Sequence, residues 1–491
     1  MSAIPSVFFA EREVPDEDWA NTPESVRRAF DWLWQERERL REQTGQSSRN
    51  SSTPPSKDRP QHKKPRRSRC AGRTPGGQPG HPGVTRPLVP AEALTIPPIS
   101  VAPAQCACGH VFPDDVSLTG APYRHQVFEL PPITPRITEY QLQHAACPDC
   151  GQTTRAALPP GVSPLTLGPN AQALITLLTG QYHLAKRAVA TLLRQVCGVP
   201  VSAASVIAVE QAMSAALLAP VATVRAAVAE APVKHLDESG WPQRREPDPG
   251  QPATAPLRRG WIWSMTTPDA TVYLIRRSRS QAVARELLGV APDATDYQAV
   301  VVSDRHGAYN WLPLDARQLC WAHLDRDFLA MSERSDPEAA RIGTALLAHA
   351  DALFLAWRQY REGALTFADL GTRLHPVRTA VADLLRAGFT ADPKTQTVCH
   401  NLRQLEPALW TFLRVEGVEP TNNPAERSQR RGVMKRAHTF GTQTSAGSRY
   451  VERILTVTAT CRQQGTDALA FLTEALRAHW TGAPAPALLT R

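Results

Sequence analysis

Three carboxylates stand out by their surroundings. Asp237 closes a short apolar run (VKHL), Asp304 closes another (AVVVS), and Glu426 follows the pair Asn423–Pro424. A carboxylate just past a buried strand sits on a rigid element while its oxygens reach a cleft edge, where open α/β sheets place their chemistry. Two such acids on neighbouring strands can share a divalent cation. Glu426 also has a plainer explanation: with Asn423 as cap and Pro424 in the first helical position, a glutamate at the third completes a capping box. The residues that follow favour chemistry. Arg427, Arg430, Arg431, Lys435 and Arg436 crowd the same helix, and an acid for metal beside cations for phosphate is the layout of a phosphodiester enzyme. Magnesium, or manganese, prefers such hard oxygen ligands. A pair of these ions polarises the phosphoryl oxygen, activates the attacking oxygen and stabilises the leaving one.

Four cysteines form a second constellation. Cys106 and Cys108 (CACGH) and Cys147 and Cys150 (CPDCG) flank an alternating stretch, and together would make a four-thiolate structural zinc site, with loss of the metal the alternative. The two-residue gap of Cys147 and Cys150 is the stronger half. The one-residue gap of Cys106 and Cys108 strains a chelating loop, and His110 can substitute for one thiolate. Cys70, Cys197, Cys320, Cys399 and Cys461 read as isolated thiols, mostly buried hydrophobes.

These residues need several modules to position them. At 491 residues the chain exceeds one compact core. Its formal charge of +9 points to a polyanionic partner. No apolar run approaches the ~18–20 residues of a membrane span, the acidic start is no secretory signal, and an odd number of scattered cysteines argues against a disulfide framework. A cytoplasmic protein is expected, without a membrane partner.

Residues 1–42 contain an amphipathic helix with the stripe Val26, Phe30, Leu33 and Leu40, a coiled coil or a helix packed on its own chain. Residues 43–90 are rich in Ser, Pro, Gly and cations, among them Lys63, Lys64, Arg66 and Arg67. They read as a disordered arm that binds phosphates without sequence preference. Residues 91–160 read as a small β-structure of zinc-ribbon type, and 161–232 as helical, with a helix–turn–helix pair that suits either packing or DNA. From 233 to 330 three strands precede alternating helix and strand, the pattern of a mixed α/β sheet. Residues 331–416 are helical, 417–470 carry the Glu426 helix, and 471–491 form a tail.

The words around the acids carry a resemblance. NSSTPPSKD with GGQPGHPG, paired cysteines, DESGW, SDRHGAYNWLP, CWAHLDRDF, and PTNNPAERSQRRGVMKR with FGTQTSAGSR occur in that order. In these the chain, from about residue 22 to 466, resembles transposases of the insertion sequence 66 family. The resemblance implies a ribonuclease-H-like catalytic domain of the DDE type, with Asp237, Asp304 and Glu426 as its acids and a helical insertion before the third. It implies metal-dependent cutting at the element's ends, and attack of the freed 3′-hydroxyl on target DNA. The implied partners are double-stranded DNA at the terminal repeats and target, a second copy of the chain for synapsis, and accessory proteins encoded nearby. His323 lies in one of the motifs, with phosphate contact, support of a metal ligand and a purely structural role all open; Asp325 and Asp327 read as solvated. A catalytically inactive, transposase-derived DNA-binding protein is the alternative, and a simple nuclease of the same fold a third reading.

Overall fold

The computed structural model describes residues 19, 21–47, 49–51, 86–243 and 259–489. Lys63, Lys64, Arg66 and Arg67 of the basic arm lie outside them. Two units are distinguished, residues 63–134 and the rest of the chain.

In the smaller unit the backbone of Val89 is bonded on both sides by the Gln126 amide, at 2.9 and 2.8 Å, and Arg86 stacks over Phe128. Of the β-structure expected over residues 91–160, this unit forms an antiparallel bridge between Gln105 and Val111, and a short hairpin at 144–155 belongs to the larger unit. The alternating stretch before that hairpin carries no ladder, and its apolar residues are exposed: Val127 78% and Leu130 88%.

The larger unit begins with α1 (Glu24–Gly45), whose residues Val26, Phe30, Leu33 and Leu40 are solvent-exposed. The short strands β1 (His144–Ala146) and β2 (Thr153–Arg155) pair antiparallel. Four helices follow: α2 (Pro169–Gly180), α3 (Lys186–Cys197), α4 (Ala203–Ala216) and α5 (Leu218–Glu230). The expected helix pair is α3 and α4. Gly198 ends α3 in the left-handed conformation at φ 66°, and the Ser202 hydroxyl caps α4 by accepting from the Ser205 N–H. Ile175, Val189, Leu193, Val206 and Val209 close the core between them.

The sheet comprises β3 (Val233–Pro242), β4 (Arg259–Thr266), β5 (Thr271–Arg276), β6 (Val300–Ser303) and β7 (Arg317–Leu319), with α6 (Gln281–Leu288) between β5 and β6. Its spatial order is β5-β4-β3-β6-β7. The first three strands form an antiparallel meander, and β6 and β7 join parallel to β3. This mixed five-stranded sheet is consistent with the ribonuclease-H-like expectation. The run VVV in β6 is apolar throughout because both faces are buried: Val301 enters one core, Val300 and Val302 the other.

After β7 the chain enters α7 (Trp321–Ser332), then the helices α8 (Pro337–Arg361), α9 (Phe367–Ala387), α10 (Pro393–Gln404) and α11 (Glu406–Leu409), where helices were expected. Caps at Asp336, Thr366 and Asp392 start three of them. α8 is long and apolar enough to cross a membrane, yet its Ile342, Leu346 and Leu353 are buried in the core it shares with α7 and α9.

The last helices are α12 (Asn423–Thr439), α13 (Ser445–Gln464) and α14 (Ala468–Thr481). α13 covers the edge of the sheet in an unusual way. The N–H groups of Thr271, Tyr273 and Ile275 on β5 donate to Thr460 Oγ1 (3.3 Å), Thr456 Oγ1 (3.0 Å) and Glu452 Oε1 (2.7 Å). Four residues of helix rise about 6 Å, close to two residues of strand, so every fourth side chain meets every second N–H. Thr456→Val keeps the shape but orphans a buried N–H. It should cost about 1–3 kcal/mol, read as a lower denaturant midpoint with unchanged slope; an unchanged midpoint would show that this cap carries no stability.

Candidate active site

Asp237 lies within β3, Asp304 immediately follows β6, and Glu426 sits in the first turn of α12. The three acids are far apart in sequence, and Asp237 lies within electrostatic reach of the other two, but their carboxylate oxygens do not all lie within 4.8 Å of one another as those of a compact metal site would; among the described residues the group that does contains Glu426 with Cys320 and His323. Burial pushes the Asp237 carboxyl well above its ordinary range, and the carboxylates of Glu238, Asp304 and Glu426 push it further. Asp304 Oδ1 accepts the His306 N–H at 2.8 Å, and Arg279 stands 3.7 Å from Oδ2.

The capping-box alternative for Glu426 does not survive. The helix starts one residue earlier than the spacing suggested, so Asn422 occupies the cap position, and its side chain makes no capping bond. Asn422 turns instead to the sheet: its Nδ2 donates to the Leu236 carbonyl at 2.6 Å, and its Oδ1 lies 3.3 Å from His235 Nδ1. The Oε1 atom of Glu426 is buried without a hydrogen-bond partner. Facing it at 3.6 Å is His323 Nδ1, equally without one. Burial lowers the basicity of His323, Arg326 lowers it further, and Glu426, Asp304 and Asp327 oppose the shift. The Cys320 sulfur completes a group whose ligand atoms lie within 4.8 Å of one another. Burial pushes that thiol up to about 11, so it is protonated at neutral pH and the oxygen and nitrogen atoms are the better donors. Of the two nearby aspartates, Asp327 is bound to Arg305 at 2.6 Å rather than simply solvated.

Other residues hold this arrangement and were not anticipated. Gln429 is buried and its Nε2 donates to the carbonyls of Asp237 (2.8 Å) and Ile262 (2.9 Å), fastening α12 across β3 and β4. The Tyr273 hydroxyl donates to the Ser428 carbonyl at 2.6 Å. Glu238 is buried beside Asp237 in sequence. It accepts from Arg279 Nε at 2.7 Å and from the Tyr309 hydroxyl. Burial and then Asp304 raise its carboxyl to about 7, against the pull of Arg279 and Tyr309. The motif residues Glu238 and Tyr309 were in view, but their bond spans 71 positions, which no local pattern encodes.

The basic residues of α12 do not form one phosphate-facing set. Arg427 and Arg430 are exposed and Arg431 is half-buried. Lys435 departs from the expectation: it is buried, with its ammonium donating to the Thr179 carbonyl of α2. Arg436 donates to Ser239 Oγ at 3.2 Å and to the Gly240 carbonyl, so it ties α12 to the end of β3.

The cysteine pairs form loops of one kind. In the smaller unit the Cys106 N–H donates to the His110 carbonyl (2.8 Å) and the Gly109 N–H to the Cys106 carbonyl (2.9 Å). In the larger, Cys147 N–H donates to the Gln152 carbonyl (2.8 Å) and Gly151 N–H to the Cys147 carbonyl (2.9 Å). Gly109 at φ 95° and Gly151 at φ 72° permit the tight return. Hydrogen bonds lower one thiol of each pair: from the His110 backbone and the Cys106 thiol at Cys108, and from the Cys150 and Asp149 backbone and the Cys150 thiol at Cys147.

A mixed sheet with one acid within a strand and another past the end of its parallel neighbour, and a glutamate on the covering helix, defines an α/β core of ribonuclease-H-like type. The chain belongs to the family described as Transposase IS66 family, whose model matches residues 165–450, more than half of the chain and all three acids. Residues 19–87 match a second model, a family of unknown function numbered DUF6444. Among curated proteins, none matches the chain significantly.

The crowding at Asp237 has a measurable consequence. Because its folded carboxyl is raised, the stability it contributes is present below the unfolded value of ~3.9 and is lost as pH rises toward the folded value. Metal-free Asp237→Asn should therefore resist denaturant better than the parent at neutral pH, with the difference shrinking toward pH 4. Equal stability at both ends of that range would remove the repulsion argument.

Proposed function

We propose that this chain cuts DNA at the ends of an insertion sequence and joins the freed 3′-hydroxyl to a target strand. The observation that carries the reading is the crowding of acids: Asp237 feels both Asp304 and Glu426, and Glu426 keeps a buried oxygen without a hydrogen-bond partner. An anion cluster of this kind needs cations, and its donors suit hard divalent ions. Asp237, Asp304 and Glu426 would hold magnesium or manganese, which when bound activates the attacking oxygen and stabilises the leaving one.

The chain's own residues do the rest. Asn422 and Gln429 fix the angle at which α12 presents Glu426 to β3. His323, its basicity lowered by burial, lies 3.6 Å from Glu426, where a ring N–H can donate to the carboxylate. Arg427 and Arg430, exposed on the same helix, supply positive charge for the phosphates that approach. Synapsis of two ends calls for a second copy of the chain, and helper proteins encoded nearby belong to the same proposal. The cysteine loops are proposed to carry structural zinc: their glycine-turned backbones and lowered thiols suit thiolate coordination.

Asp237→Asn, Asp304→Asn and Glu426→Gln should each reduce strand joining to background, with duplex binding retained. The assay supplies a pre-cut 3′-hydroxyl end, a target plasmid and magnesium or manganese. A variant that still joins at a near-parental rate would exclude that residue from the metal set. If the parent binds but never joins, the inactive DNA-binding alternative takes its place; cleavage without joined product would identify a nuclease. Metal analysis of purified protein should find zinc, and Cys147→Ser with Cys150→Ser should lose it; zinc-free parent protein would end that part of the proposal.

A further inference from the structure

On the flank of α12 away from the Glu426–His323 contact lies a second pocket, of about 480 Å³, walled by Arg427, Ser428 and Arg431 of α12, by Arg462 and Gln463 of α13, and by the β4–β5 turn at Thr266 and Thr267. Val233 and His235 line its floor. They alternate with Lys234 and Leu236 and so share the sheet face of Asp237, nearer the start of β3. We propose that this pocket is a separate phosphate site, which takes a backbone phosphodiester of the DNA whose reacting strand lies at the carboxylates.

Charge without counter-charge is the first argument. Other partly buried arginines of this unit have acceptors: carboxylates for Arg276 (Glu286 and Glu452), Arg279 (Glu238), Arg305 (Asp327) and Arg334 (Asp392), and carbonyl, amide or hydroxyl oxygens for Arg285, Arg317 and Arg453. Among the described residues, Arg427, Arg431 and Arg462 have no such carboxylate, and the one acid in the wall, Glu419, is already bound to Arg361 at 3.1 Å. Arg431 is half-buried with Arg462 near enough to repel it, and both effects lower its affinity for its proton. A fold that keeps like charges together in a half-enclosed space is poised for an anion, and a planar guanidinium pair matches phosphate oxygens in geometry as well as charge.

The arrangement of exposure selects the source of that phosphate. Arg427 and Arg462 are exposed at the mouth while Arg431 lies deeper, so a group projecting from a polymer can enter. A helix with its side chains is about 10–12 Å across, and duplex DNA carries a charge every ~1.7 Å of its axis. One DNA molecule thus has phosphates for both flanks of α12. The inference rests on the DNA-processing reading above, and the pocket would serve positioning, not bond breaking.

The test uses the full chain in two ways. Arg431→Gln with Arg462→Gln is titrated with a duplex oligonucleotide of arbitrary sequence over a range of salt, beside an Arg373→Gln control on the insertion. The double variant should bind more weakly, with the slope of log affinity against log salt shallower by about one for each phosphate no longer neutralised; the control should match the parent. Removing crowded cations should leave thermal stability equal or higher, which separates weakened DNA binding from unfolding. Parental affinity and slope in the double variant would overturn the proposal. In unaltered protein, arginine modification by phenylglyoxal is then mapped by mass spectrometry. Duplex DNA should protect Arg431 and Arg462 more than inorganic phosphate does at the same phosphoryl concentration. Equal protection by inorganic phosphate would make this a small-anion site and overturn the DNA assignment, and no protection by either would overturn the site itself. Protected arginines in a protein that never joins strands would sink the catalytic reading alone. Normal joining with both arginines fully reactive would sink only the pocket.

Discussion

Like-charge repulsion is the constraint around which this molecule is built. Asp237, Asp304 and Glu426 are brought close enough that the other two disfavour ionisation of the first, and in the absence of cations nothing in the cluster itself rewards that. The adhesion comes from elsewhere: the hydrogen-bonded meander β3–β4–β5, the parallel strand β6 buried on both faces, and the polar fastening of α12 by Asn422, Gln429 and Arg436. These bonds reach the strand that bears Asp237 or its immediate neighbour, mostly at backbone carbonyls. The angle of the glutamate helix is therefore set by the main chain of the sheet, not by the charges it carries.

Much of this was legible from the residues. Asp304 follows an apolar run that is a buried strand to its end, so its location was readable from local pattern; Asp237 was placed on the right strand but not at its end, because β3 runs on to Pro242 in its ladder with β4. Glu426 was not decidable that way, because a capping box and a ligand share one spacing; the choice depends on where Asn422 points, and its partners lie 186 and 187 positions away. Gln429, Tyr309 and Arg279 were invisible for the same reason. Lys435 misled because a run of cations suggests a single face, whereas a helix has several, and this position meets α2. The alternating stretch beyond Cys108 misled differently: alternation records a preference for extended chain, and a ladder needs a partner as well.

The two flanks of α12 divide the work that one helix can do. Glu426 and its histidine face one way, the unmatched arginines the other. A substrate engaged at both would be held against rotation about the helix, so that small changes on the arginine side would register as poorer alignment at the carboxylates.

The helical strip that caps the outer strand has an evolutionary consequence. Glu452, Thr456 and Thr460 lie beyond residue 450, where the family match ends, yet they close the last open hydrogen-bonding edge of the meander. A copy of this element interrupted shortly after that point would keep all three acids while exposing a row of bare amides. Bare edges of that kind recruit strands from other molecules, so decay of such an element is expected to begin as insolubility, before any change reaches its chemistry.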